Sequence, residues 1–184
     1  MKNILLIILF ALFVFPAKAD SISLANLAKD SRGKVLFIRH ALAPGSGDPS
    51  NFTLGDCTTQ RNLNDDGRKQ SRGIGDNLRK AGVKVGLVYS SQWCRCIETA
   101  KHMNVGAVKT FEGLNSFYEL TDKEGEWIGK LKKFIRSLDQ NGDLVIMVTH
   151  FVTISAMTGE GVDSGGGVVM SLKDQSVKNV SDLN

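Results

Sequence analysis

The sequence predicts an α/β fold, a three-layer α/β/α sandwich around a largely parallel central sheet. Two observations predict it. Short apolar, β-branched segments at Lys34–Arg39, Val85–Tyr89 and Leu144–Thr149 alternate with longer amphipathic ones starting near Asn64, Gln92 and Asp122. Each of these strands also stops at a polar cluster: Arg39-His40, Ser90 to Arg95, and Thr149-His150. Right-handed crossovers bring the carboxyl ends of parallel strands to one edge, where open α/β sheets place their ligand sites.

The chain opens with Lys2, an unbroken apolar run from Ile4 to Phe15, and a small-x-small motif at Ala17-Lys18-Ala19. Residues 1–19 are therefore expected to be a cleaved signal peptide, the run being shorter than the roughly 20 residues a membrane span needs. The product would be residues 20–184, a single domain with its core at about 34–172, periplasmic or secreted and without a stable membrane span after cleavage. No Cys stands at Asp20, so no lipid anchor is indicated.

Within that domain Ser21–Ala28 reads as an amphipathic lead-in and Lys34–Arg39 as the first strand. Pro44–Gln60 is a long polar loop, of the kind that in compact domains usually carries function. Asn64 is an N-cap with Asp65 and Asp66 behind it; the helix runs to about Ala81, turns Ile74 and Leu78 inward and ends at Gly82. After the strand Val85–Tyr89, a helix over Gln92–His102 carries Trp93, Cys96, Ile97 and Ala100 on one apolar face. Val108–Phe111 is a short strand, Gly113–Glu119 a loop, and Asp122–Leu138 a helix buried through Trp127, Ile128, Leu131, Phe134 and Ile135. Asn141-Gly142 turns into the most hydrophobic strand, Leu144–Thr149. A helix over Phe151–Met157, a strand over Gly166–Leu172 and a polar tail, Lys173–Asn184, complete the chain.

The formal charge of +4 falls to +2 without Lys2 and Lys18, and no Lys/Arg block is present. No nucleic-acid partner is expected. In an oxidising compartment two of the three cysteines should pair. Cys94 and Cys96 are too close to bond readily to each other, which leaves Cys57 with one of them. A zinc site from this C-x-C and His102 fits no common ligand spacing, so no metal is expected.

Two imidazoles and two guanidiniums at one sheet edge suit a compact dianion such as a phosphoryl group. Arginine forks donate bidentately to phosphoryl oxygens and keep their charge, and Arg95 falls in the first turn of its helix, where the dipole also favours an anion. One unprotonated imidazole can attack phosphorus while the other donates to the equatorial oxygens. With that much fixed positive charge, the site requires no metal or cofactor.

Leu36 to Ala41, Ser90-Ser91 through Arg95 and Glu98-Thr99-Ala100, and Val148-Thr149-His150 closely resemble the signature segments of the histidine phosphatase (phosphoglycerate mutase-like) superfamily. Asn62-Leu63-Asn64 with Gly67 and Gln70 is similar to that family's first helix start, and Leu114 to Tyr118 to its acid-bearing loop. The resemblance implies a phosphoglycerate mutase-like fold and a small exported branch-1-type phosphatase. It makes His40 the nucleophile that becomes phosphohistidine, with Arg39, Arg95 and His150 binding the phosphoryl group. Glu119 is the candidate proton donor, with Glu112 and Asp48 as alternatives, because Ser116 stands where many relatives carry the acid. Ala41 replaces the usual Gly, and Phe151 the Asp of the acid-phosphatase and phytase branch, which argues against that branch.

The expected partner is a small phosphorylated substrate. An envelope phosphosugar, such as a phosphorylated lipopolysaccharide core sugar, suits the compartment and the exported relatives that act on one. The alternatives are a phosphohistidine-protein phosphatase and a non-catalytic phospho-ligand binding module. His102 reads as a surface residue, and Trp93 and Trp127 as packing residues; Arg61 and Gln60 fit either the pocket mouth or an exposed loop.

Overall fold

The structure, a computed structural model, describes residues 20–184; the predicted signal peptide, residues 1–19, lies outside the described residues. In chain order the elements are β1 (Ser21–Ile22), α1 (Leu24–Lys29), β2 (Lys34–Arg39), α2 (Asp65–Lys80), β3 (Val85–Ser90) and α3 (Cys94–Met103), then β4 (Val108–Thr110), α4 (Glu124–Arg136), β5 (Leu144–Thr149), α5 (Phe151–Thr158), β6 (Gly167–Ser171) and β7 (Val177–Val180). The described strands form one sheet in the order β1-β7-β6-β2-β5-β3-β4. β2, β5, β3 and β4 pair in parallel, and β6 runs against both of its neighbours.

Side chains along β2 and β5 alternate between the sheet's two faces, as the pleat requires. Leu36, Ile38, Ile146 and Val148 pack with Leu27, Ile74, Leu78 and Ala100 of α1, α2 and α3. Val35, Phe37, Val145 and Met147 pack with Leu131, Ile135 and Ile154 of α4 and α5. The result is the expected three-layer sandwich, with β5 buried at each of its residues as a central parallel strand should be.

Helix α2 starts where its sequence marks it, with Asn64 Oδ1 accepting the Gly67 N–H at 2.8 Å. Gly67 meets a second demand. A Cβ there would lie 2.1 Å from the Leu42 carbonyl oxygen, so only glycine lets α2 press against the segment leaving β2. Helix α3 begins at Cys94, two residues later than expected, because Gln60 Oε1 takes the Cys94 N–H at 2.9 Å and Trp93 remains extended.

The polar tail is a correction. Val177–Val180 forms β7, inserted between β6 and β1, and Leu183 is buried in the first core. Four residues as polar as Val-Lys-Asn-Val carry too little periodicity to read as a strand. Antiparallel pairing with β6 and parallel pairing with β1 create it, and the same pairing makes part of the lead-in a strand.

Candidate active site

The β4–β5 excursion returns the chain to the middle of the sheet, where β5 slots between β2 and β3. That insertion sets His150 beside His40: the His40 N–H donates to the Thr149 carbonyl at 2.9 Å, and the ring centroids are 5.5 Å apart. The ends of β2, β3 and β5 then open onto a cleft of about 280 Å³ lined by Arg39, His40, Arg61, Arg95, Glu119 and His150, among others. Each residue assigned to the site from sequence thus reaches the same cleft.

His40 is 3% exposed, and its Nδ1 lies 2.8 Å from its neighbour's carbonyl, Ala41 O. A carbonyl only accepts, so Nδ1 carries the hydrogen and Nε2 keeps a free lone pair. Burial, followed by the Arg95 charge, lowers the His40 pKa to about 3; the Ala41 carbonyl opposes this, while Arg61 and Arg39 add to it. The ring is therefore neutral at ordinary pH. Ala41 itself packs into a small cluster with Ala43 and Leu63, and its N–H donates to Thr99 Oγ1 at 3.0 Å. The extra methyl relative to glycine is accommodated.

Arg95 is held by Asp48. Its Nη1 donates to both carboxylate oxygens, at 2.9 and 3.0 Å, and Asp48 also accepts from the Arg61 N–H and from Trp93 Nε1. Burial would raise the Asp48 pKa, but the Arg95 bond and charge with these other donors hold it below the usual carboxylate value. Asp48 is thereby removed as an alternative acid, since its oxygens are committed and it stays ionised. Glu112 is removed on position, being paired to Lys130 at 2.5 Å and absent from the cleft lining.

Arg39 Nη1 donates to the Val162 carbonyl at 3.0 Å. The buried Nε–H groups of Arg39 and Arg95 meet no protein acceptor, although buried donors are nearly always paired. Two such donors on guanidiniums lining one cleft fit an anion. Arg61 joins them, with its Nε donating to Gly47 O at 2.7 Å and Nη1 to Ala43 O. It both lines the cleft and holds the loop over it, while Gln60 bonds Thr53 and α3 instead.

His150 Nε2 lies 2.9 Å from Ser91 Oγ, and its Nδ1 3.5 Å from Arg95 Nη2. Ser91 Oγ is also 3.2 Å from Asn115 Oδ1, which accepts the Gln92 N–H. A guanidinium only donates, so His150 Nδ1 accepts from Arg95 and Nε2–H donates to Ser91 Oγ, whose own hydroxyl donates to Asn115 Oδ1. Burial, then the Arg95 charge, lowers the His150 pKa well below its ordinary value. Ser91, Asn115 and Thr99 stand in segments that resemble the family signatures, without a role that the segments themselves assign. Their hydrogen bonds depend on tertiary approach, so no local pattern marks them.

The long loop is fixed a third time by a Cys57–Cys94 disulfide, with a Cα–Cα distance of 5.7 Å. Cys96 is the free thiol, buried 3.4 Å from His150 Nε2, with burial raising its pKa to about 12. The disulfide also takes Cys94 out of any C-x-C metal set. His102 lies outside the cleft, 3.6 Å from Glu98. Trp93 and Trp127 pack against each other in the core.

Glu119 is exposed, and its Oε1 accepts the Asp48 N–H at 2.8 Å. It reaches the cleft from three residues beyond Ser116, which is buried and whose Oγ accepts the Tyr118 N–H at 3.3 Å.

A family profile described as histidine phosphatase superfamily (branch 1) matches residues 35–121. No curated protein matches the chain in sequence. Among solved structures, the protein histidine phosphatase SixA complexed with tungstate is similar over 80% of this chain and 94% of its own, at 15% identity and a TM-score of 0.56. Phosphoserine phosphatase from Entamoeba histolytica, in complex with 3-phosphoglyceric acid, covers 80% and 95% at 15% identity and a TM-score of 0.56. Phosphoglycerate mutase from Thermus thermophilus covers 80% and 98% at 14% identity and a TM-score of 0.57. At these identities the structural likeness concerns the fold.

Proposed function

We propose that the chain is a member of the histidine phosphatase superfamily, branch 1, whose profile matches residues 35–121, and that it is an exported phosphatase hydrolysing phosphomonoesters through phospho-His40. One observation carries the reading: a neutral, buried imidazole with its Nδ1–H committed to Ala41 O and its Nε2 free, in a cleft with three guanidiniums. Nε2 attacks phosphorus, forming the N–P bond as the ester P–O bond breaks. Arg39, Arg95 and His150 hold the equatorial oxygens and the charge that builds on them. Glu119 gives a proton to the departing alkoxide. A water, deprotonated by the Glu119 carboxylate, then attacks phosphorus and releases phosphate and free His40. The guanidiniums supply the positive charge that a metal provides elsewhere, so the scheme needs none.

The leader at residues 1–19 supports export, and with it an envelope phosphosugar, such as a lipopolysaccharide core sugar phosphate, as the substrate. The purified protein should hydrolyse p-nitrophenyl phosphate and members of a phosphosugar panel, and acid quenching should trap phosphate on His40. Turnover equally near zero in wild type and His40→Ala, with phosphate still bound, would make the protein a binding module instead. N-terminal sequencing of the exported form should read from Asp20.

One observation favours phosphohistidine on a protein as a second reading. Glu119 is exposed and already hydrogen bonded to the Asp48 N–H, and a phosphoramidate leaves with little acid help. Faster turnover of a phosphohistidine peptide than of any phosphosugar would select it.

A further inference from the structure

The cleft changes character from base to mouth. Positive charge comes from Arg39, Arg61 and Arg95, each wholly or partly buried and held by carbonyls or by Asp48. The exposed lining residues are Gly45, Ser46, Tyr118, Glu119 and Phe151, and none is basic. Two of them are large aromatics left in solvent: Tyr118 is 61% exposed and Phe151 45%. Their placement is not incidental to the chemistry. Phe151 directly follows His150 and lies beneath the Arg39 guanidinium, 5.6 Å from carbon to ring centroid. Tyr118 directly precedes Glu119, and its N–H donates to Ser116, a lining residue on the same segment.

An aromatic face is electron-rich; it attracts apolar C–H edges and cations and repels anions. A second phosphate or a carboxylate on the departing alcohol would meet these rings and Glu119, with no exposed lining cation to receive it. We propose that Tyr118 and Phe151 are the specificity-determining residues of the cleft, receiving the departing alcohol and selecting an uncharged one that presents a ring face. A sugar and an aryl alcohol share that chemistry; phosphoglycerates and sugar bisphosphates lack it. The inference rests on the phosphatase reading and extends it to the substrate class.

The test compares kcat/KM across acetyl phosphate (no ring), phenyl phosphate, glucose 1-phosphate, 3-phosphoglycerate and fructose 1,6-bisphosphate for the full chain. Wild type should favour both ring monophosphates over both multiply anionic substrates, and the order of phenyl phosphate and glucose 1-phosphate identifies the ring as aryl or sugar. Tyr118→Ala and Phe151→Ala should each cut the ring-to-acetyl-phosphate ratio by about tenfold, the scale of one aromatic contact. Tyr118→Phe and Phe151→Tyr, which keep the ring, should restore it. A ratio unchanged in the alanine variants, or a wild-type preference for 3-phosphoglycerate or the bisphosphate, overturns the inference while the phosphatase reading stands. No turnover of any substrate and no phosphate trapped on His40 overturns both.

Discussion

Asp48 closes both carboxylate oxygens on Nη1 of Arg95, at 2.9 and 3.0 Å, and neither side chain exposes more than 3% of its surface. The residue in the long loop is what aims the residue on the helix. Breaking a buried pair by removing one partner leaves an uncompensated charge and costs about 3–5 kcal/mol. Asp48→Ala should lose that much stability in denaturant titration and raise KM for phosphomonoesters. Asp48→Asn, which can still accept from Arg61 N–H or Trp93 Nε1, should lose less. An unchanged KM in both variants would show that Arg95 is positioned without Asp48.

The same loop is stapled by the Cys57–Cys94 bond across 37 residues. Loop-closure entropy for that span corresponds to roughly 4 kcal/mol. The Cys57→Ser, Cys94→Ser double variant should unfold at correspondingly lower denaturant, and dithiothreitol should move the wild type towards the same midpoint. A midpoint insensitive to both changes would mean the loop is held by Asp48, Arg61 and Gln60 alone.

Stability should fall on mild acidification. Burial and nearby guanidiniums lower the pKa of His40 to about 3 and depress that of His150, against an ordinary value of 6.5. Below pH 6.5 the unfolded chain binds protons that the folded chain refuses, so their contribution is complete above that pH and is lost as pH drops towards 3. The slope should approach about 1.4 kcal/mol per pH unit for each histidine. Unfolding curves at pH 7.5, 6.5, 5.5 and 4.5 measure it; a flat profile from 6.5 to 4.5 would mean that neither ring is held neutral.

Glu119→Gln separates the proton donor from the rest of the cleft. General acid catalysis contributes about 10²–10⁴-fold, and only where the leaving group needs a proton. The variant should lose at least a hundredfold on an alkyl phosphate and little on p-nitrophenyl phosphate. Equal losses on both would assign Glu119 to binding or to holding the Asp48 N–H.

Much of the fold was legible because its central strands are local signals. Leu144–Thr149 is apolar at five of six positions and is buried throughout. Asn64 and Gly82 punctuate α2 as cap chemistry predicts. β7 was not legible, because Val177–Val180 becomes a strand only through its two neighbours. Asp48 was legible only as a carboxylate in a loop. Its role as the clamp on Arg95, and hence its exclusion as an acid, required knowing where the loop folds back.

By itself, then, the sequence determined the alternation of strands and helices, the residues that close each strand, and the chemistry that Arg39, His40, Arg95 and His150 can perform. Those follow from periodicity and side-chain type, which are properties of short segments. The tertiary structure decided which cysteine pairs with Cys57, which nitrogen of His40 is free, how Ser91 supports His150, and what stands at the mouth of the cleft. Each depends on contact across distant segments: β5 must enter between β2 and β3, and the loop must return to α3, before any of these partners meet.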